Sequence, residues 1–225
     1  YHLYEIGVDG TGLRQLTFGE TDDFSPCYLP DGDILFISTR RGGYGRCHGR
    51  PVPLYTLHRM RADGSGIRCI SVNEANEWDP SVLEDGRIVY SRWDYVDRHA
   101  VDYQSLWTCW PDGSQPMALY GNATKNPTGN YQPRQIPGSH RVVSTAAAHH
   151  AYTAGSLVTV DLRRDFDGLA PLTRLTPEVP FVESEGWPQR FSYTTPWPLS
   201  ERYYLVGFSI TRLEPEGRLN PPNQH

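Results

Sequence analysis

The sequence predicts an all-β chain, a β-propeller of four-stranded antiparallel blades with three complete blades and two half blades. Three phased patterns predict it. Asp9-Gly10-Thr11-Gly12 recurs 54 residues later as Asp63-Gly64-Ser65-Gly66, and again 49 residues on as Asp112-Gly113-Ser114. Ser25-Pro26, Pro80-Ser81 and Pro133 keep the same beat, as do Pro30-Asp31-Gly32, Glu84-Asp85-Gly86 and Pro137-Gly138-Ser139. A period of this length marks a repeat architecture. One four-stranded sheet cannot bury both of its faces, so stacked neighbours supply the cover.

The elements follow in order. Leu3 to Thr17 supplies two outer strands, c and d, around the first Asp-Gly turn. The first full unit has strand a at Phe24 to Leu29, b at Ile34 to Thr39, c at Leu54 to Arg61 and d at Ile67 to Ser71. The second reads Pro80 to Leu83, Arg87 to Arg92, Ser105 to Trp110 and Pro116 to Tyr120. The third reads Tyr131 to Ile136, Arg141 to Thr145, Ser156 to Leu162 and Leu172 to Leu175. Phe191 to Tyr193 and Tyr203 to Ile210 supply a final a and b. Short apolar runs bounded by Asp-Gly corners read as hairpins, because two-residue turns need the positive φ that Gly tolerates. No stretch of about 12 residues keeps a helical apolar period.

Residues 1–210 are expected to form the propeller and 211–225 an irregular tail or linker. The chain has no initiator Met and opens inside a strand-like segment, which favours a fragment of a larger ring over a four-bladed ring closed by its own termini. Aromatic residues are 12% of the chain, so Tyr, Trp and Phe carry much of the core. The net charge of −5 gives no nucleic-acid footprint. No apolar run reaches the roughly 18 residues that span a bilayer. Lys125 is the sole lysine among 21 basic residues.

Cys27, Cys47, Cys69 and Cys109 form no Cys-x-x-Cys pair, which excludes zinc ribbons and c-type haem attachment within the chain. Cys27, Cys69 and Cys109 fall in predicted strands and read as small core residues. Cys27 and Cys69 sit on the innermost and outermost strands of one unit, about three 4.8 Å strand spacings apart and beyond disulfide reach. No nucleophile elbow, P-loop or dinucleotide fingerprint is present.

The a–b and c–d turns share one face and are tight. The b–c and d–a connections share the other and are long, so binding is expected there. That face gathers Arg46, Cys47 and His48 from the first b–c loop (Arg40 to Pro53), Trp93, Asp94, Asp97, Arg98 and His99 from the second, and His149, His150 and Tyr152 from the third. Thiolate and imidazole are soft-metal donors, so Cys47, His48, His149 and His150 are the candidate metal ligands. The alternatives are a free loop thiol and histidines bonded to carbonyls. Asp94 and Asp97 either bind a ligand or brace the rim through Arg92 and Arg98. Asp23 and Asp79, placed just before strand a, read as structural, capping turn amides or pairing with an Arg of the adjacent blade.

The segments Tyr4-Glu5-Ile6 to Leu16-Thr17 and Pro26-Cys27-Tyr28-Leu29-Pro30-Asp31-Gly32 resemble the repeat of TolB-type propellers. Asp22 to Gly32, Tyr90-Ser91-Arg92-Trp93-Asp94-Tyr95-Val96-Asp97-Arg98 and the His149-His150 region resemble, more narrowly, the middle domain of hydrazine synthase alpha subunits and their relatives. The resemblance implies a six- or seven-bladed propeller within a larger periplasmic or otherwise exported protein, beside cytochrome-like domains. No cofactor is expected within this chain itself; the alternatives are a metal ion on the residues named above, or a haem supplied by a neighbouring domain. Because the haem-attachment motif is missing, neither the reaction nor any catalytic residue is carried over. The expected function is a scaffold and interaction domain partnering other domains of a longer polypeptide or other subunits. The alternatives are a domain of a haem-dependent oxidoreductase that lends rim residues to a shared site, and the propeller of a peptidase or glycan-active enzyme.

Overall fold

The computed structural model describes residues 1–47, 50–94, 96–188 and 190–210, with side chains left undescribed at 46, 47 and 50. The predicted tail, 211–225, lies outside the described residues. Every regular element among the described residues is a strand. β1 (Tyr4–Glu5) and β2 (Arg14–Gln15) form a short hairpin. The first four-stranded antiparallel sheet runs β3 (Asp23–Tyr28), β4 (Ile34–Ser38), β7 (Thr56–Met60) and β8 (Arg68–Cys69). The second is β9 (Glu77–Val82), β10 (Ile88–Trp93), β11 (Gln104–Cys109) and β12 (Met117–Tyr120). The third is β13 (Gly129–Gln135), β14 (Arg141–Ala147), β15 (Gly155–Asp161) and β16 (Leu172–Arg174), followed by the hairpin β17 (Ser192–Pro198) and β18 (Tyr204–Ser209). Single bridges, Gln104 to Gly129 and Gly155 to Tyr193, link the third strand of one unit to the inner strand of the next, so that β9 to β18 hydrogen-bond as one ten-stranded sheet.

The strands form where the sequence places them because the core lies between sheets. β4 is buried along its whole length, and β10 and β14 nearly so. Leu35 and Leu57 of the first sheet pack with Ile88 and Tyr90 of the second. Val89 and Leu106 of the second pack with Val142 and Val160 of the third. Leu3 and Leu16 of the first hairpin cover Ile34 and Phe36. A strand covered on both faces reads as a continuous apolar run, as Ile34-Leu35-Phe36-Ile37 does. The outermost strands are short and largely exposed, as at β8.

The Asp-Gly corners behave as their chemistry requires. Gly32, Gly64, Gly86 and Gly113 all have φ near +87° (87°, 86°, 87° and 88°). Each preceding Asp accepts a backbone N–H two residues on, as Asp63 does from Ser65 (2.9 Å) and Asp112 from Ser114 (2.9 Å).

Four departures from the sequence reading have physical causes. The first b–c connection is not a plain loop, because β5 (Tyr44–Cys47) and β6 (Arg50–Pro53) pair within it as a separate hairpin. β9 begins at Glu77, three residues before Pro80, because an inner edge strand needs no N–H at the proline. Cys69 is exposed rather than a core residue, since β8 is an outer strand; Cys109 is buried and Cys27 partly so. Asp23 and Asp79 are not equivalent. Asp23 opens β3, and its structural counterpart is Glu77 at the head of β9.

Candidate functional site

The connections that follow β10 and β14 meet at one end of their sheets. β10 delivers Trp93 to the base of its loop, where the ring is buried and Nε1 donates to the Ala100 carbonyl (2.7 Å). That bond folds the loop back over the ring. Trp78, opposite Ser91 on β9, stacks on Trp93 at 6.4 Å and meets Tyr131 edge-on at 5.9 Å. From the next unit, His149 reaches the Trp93 ring at 5.1 Å, and His150 stands edge-on to His149 at 4.6 Å.

Both histidines are fixed by polar partners. The Gln104 side-chain amide is hydrogen-bonded to His149 Nδ1 (2.6 Å). Glu183, from the connection beyond β16, accepts the backbone N–H of His149 (2.8 Å) and of His150 (3.3 Å) through Oε2. Its Oε1 pairs with His150 Nδ1. Among the partners of this pair are thus a carboxylate and an amide.

The remaining candidates divide. Asp94 and Arg98 pair at 2.8 Å, and Arg92 approaches Asp94 at 3.7 Å. Arg98 also bonds Asn122 and lies over the Tyr103 ring at 3.6 Å. This is the rim brace, one of the two readings the sequence left open. Asp97 turns the loop with φ of 56°. His99 is apart, beside Asp102 (3.2 Å), which Lys125 also approaches (3.6 Å). Tyr152 and Tyr44 present their rings at the surface, 66% and 72% exposed. Arg46 and Cys47 belong to β5 by backbone, but their side chains, and all of His48, lie outside the described residues. Among the described residues no group of three His, Cys, Asp or Glu side chains converges as a metal site.

Sequence reasoning placed the inner strands but missed what their side chains do. Asp23 is fully buried, bonded to Ser38 (2.6 Å) and ion-paired with Arg40 (2.7 Å) of its own sheet, not of a neighbour. Burial pushes its carboxyl up, but Arg40 and Ser38 together hold it below the usual range. Glu77 is equally buried and accepts the Leu57 N–H (3.0 Å), yet burial prevails and raises it to about 7. Between these residues and the turn face, each inner strand carries a bulge at an X-Pro pair. Ser25, Asp79, Gln132 and Thr195 have φ of 50°, 51°, 55° and 47°, and each sits where pairing with the next strand slips register. The phased prolines were the visible signal. Which way a bulged side chain turns was not.

No family model and no curated protein sequence matches the chain. Among solved structures, hydrazine synthase of Kuenenia stuttgartiensis is similar with a TM-score of 0.68 at 20% identity, covering 92% of this chain and 32% of that one. TolB from Acinetobacter baumannii is similar with a TM-score of 0.52 at 12% identity, covering 96% of this chain and 49% of that one. The chain therefore resembles TolB-type β-propellers in fold, and it spans about a third and about half of the two structures it matches.

Proposed function

We propose that this β-propeller domain is a scaffold whose long-loop face binds neighbouring domains of a longer, exported polypeptide or partner subunits. The observation that carries this reading is the lateral linkage of successive units on that face. His149 of the third unit rests on Trp93 of the second, and Glu183 holds both His149 and His150. A surface tied across units in this way presents fixed side chains to a partner at little ordering cost. The long connections also expose Tyr44, Val96 and Tyr152, and exposed aromatic residues of this kind anchor interfaces. The opposite face consists mainly of tight Asp-Gly turns that bond to themselves.

Hydroxyl-radical footprinting of the full-length protein, read by mass spectrometry, tests the proposal. Tyr44 and Tyr152 are expected to be protected well below the reactivity their exposure predicts. Tyr28, exposed at the turn end of β3, is expected to react freely. Protection of Tyr28 with full reactivity of Tyr44 and Tyr152 would assign the working surface to the other end.

A further inference from the structure

The four X-Pro bulges converge on one cavity. Ser25, Asp79, Gln132 and Thr195 line it with Arg134 and the prolines that follow the first three, and its volume is about 150 Å³. Room for one water needs roughly 10–15 Å³ on this measure, so the cavity could hold about ten waters or a small organic molecule.

Its walls are built rather than incidental. The bulge residues bond from one unit to the next. Asp79 lines the cavity together with Ser25 of the preceding unit and Gln132 of the next. The Gln132 side-chain oxygen accepts the N–H of Thr195 (2.7 Å) and the hydroxyls of Thr145 (2.9 Å) and Thr194 (3.1 Å). Positive φ strains a non-glycine residue, and the same strained turn recurs at each of the four inner strands where a polar side chain lines the cavity.

Two opposite charges face this space without meeting. Arg134 lies over the Trp197 ring at 4.1 Å, and no ion pair among the described residues includes it. Asp79 influences it electrostatically but is not within pairing distance. Burial disfavours the charged form of both groups. A partly buried guanidinium with five donors and a carboxylate with spare lone pairs invite a guest that carries both complements.

We propose that this cavity binds a small zwitterion, an α-amino acid or a molecule of like chemistry, with its ammonium on Asp79 and its carboxylate on Arg134. An anion alone would be repelled by Asp79, and a cation alone by Arg134. Adjacent opposite charges satisfy both and leave neither protein group unpaired. This proposal does not rest on the long-loop face being a binding surface.

The test titrates glycine, acetate and methylammonium separately into the intact protein, followed by calorimetry and by saturation-transfer NMR. Glycine is expected to bind saturably, with acetate and methylammonium each at least about tenfold weaker. Arg134→Gln and Asp79→Asn are each expected to weaken glycine by at least about tenfold; Asn tolerates the positive φ at 79. The three ligands on the unaltered protein decide the matter even if a variant fails to fold. Absence of saturable glycine binding by about 10 mM would overturn the proposal. So would acetate binding as tightly as glycine, which makes the cavity an anion site, or methylammonium doing so, which makes it a cation site.

Discussion

Asp23 and Glu77 occupy the same place at the head of successive inner strands, both buried, yet their electrostatics differ in sign. Asp23 has the Arg40 guanidinium at 2.7 Å, and its charge is retained. Glu77 has a backbone N–H but no ion pair among the described residues, so burial raises it from 4.5 to about 7 against the fields of Arg92 and Arg41. A carboxyl raised in the folded state binds its proton more tightly there than in the unfolded chain. Its contribution is therefore fully present below pH 4.5 and is lost as pH rises through about 7. The shift corresponds to a loss on the order of 3 kcal/mol across that window. Glu77→Gln keeps an acceptor for the Leu57 N–H and cannot ionise. Urea unfolding at pH 5 and pH 8 should show the natural protein losing stability between the two and the variant losing about 3 kcal/mol less. Identical pH dependence in both would mean that Glu77 is solvated rather than buried. None of this was legible beforehand. An acidic residue three places before Pro80 reads as a polar connection, and only the early start of β9 carries its side chain between sheets.

At the scale of strands and turns the sequence was far more informative, because hairpin corners have few chemical solutions. Asp-Gly located the turns, and the apolar runs between them located the central strands within one or two residues. What the pattern could not carry was the second task of some corners. A Cβ on Gly113 would lie 1.9 Å from the carbonyl oxygen of Ile70 in the preceding sheet, whereas one on Gly86 would meet nothing within 4 Å. Both have nearly the same φ, 88° and 87°. Alanine at either position pays the left-handed penalty, about 1 kcal/mol. Gly113→Ala must also lift the turn off β8, and is expected to cost about 2 kcal/mol more than Gly86→Ala, comparable to overpacking a core. Equal denaturant midpoints for the two variants would show that the corner does not dock on its neighbour. The β5–β6 hairpin marks the opposite limit. Its glycines and prolines signalled a loop, and its pairing depends on contacts that local propensity does not encode.

For the molecule as a whole, the decisive fact is that its two largest apolar clusters join sheets rather than fill them. Leu57 contributes to a cluster shared by the first and second sheets, and Val142 to one shared by the second and third. Stability built in this way is a chain of nearest-neighbour terms, and it need not fail all at once. Leu57→Ala removes a fully buried side chain and is expected to cost about 3 kcal/mol. Under nearest-neighbour coupling, hydrogen exchange should accelerate in β4 and β10, which flank the new cavity, while β14 keeps most of its protection. A uniform acceleration over β4, β10 and β14 would instead mean that the sheets open only together. The long-loop contacts supply a reason to expect partial independence with a bias. His149 on Trp93 and Glu183 on both histidines clamp the second unit to the third, and no comparable aromatic clamp joins the first to the second among the described residues. The boundary weakened by Leu57→Ala is then the one along which the domain should first come apart, with the histidine-bearing half of the loop face kept intact.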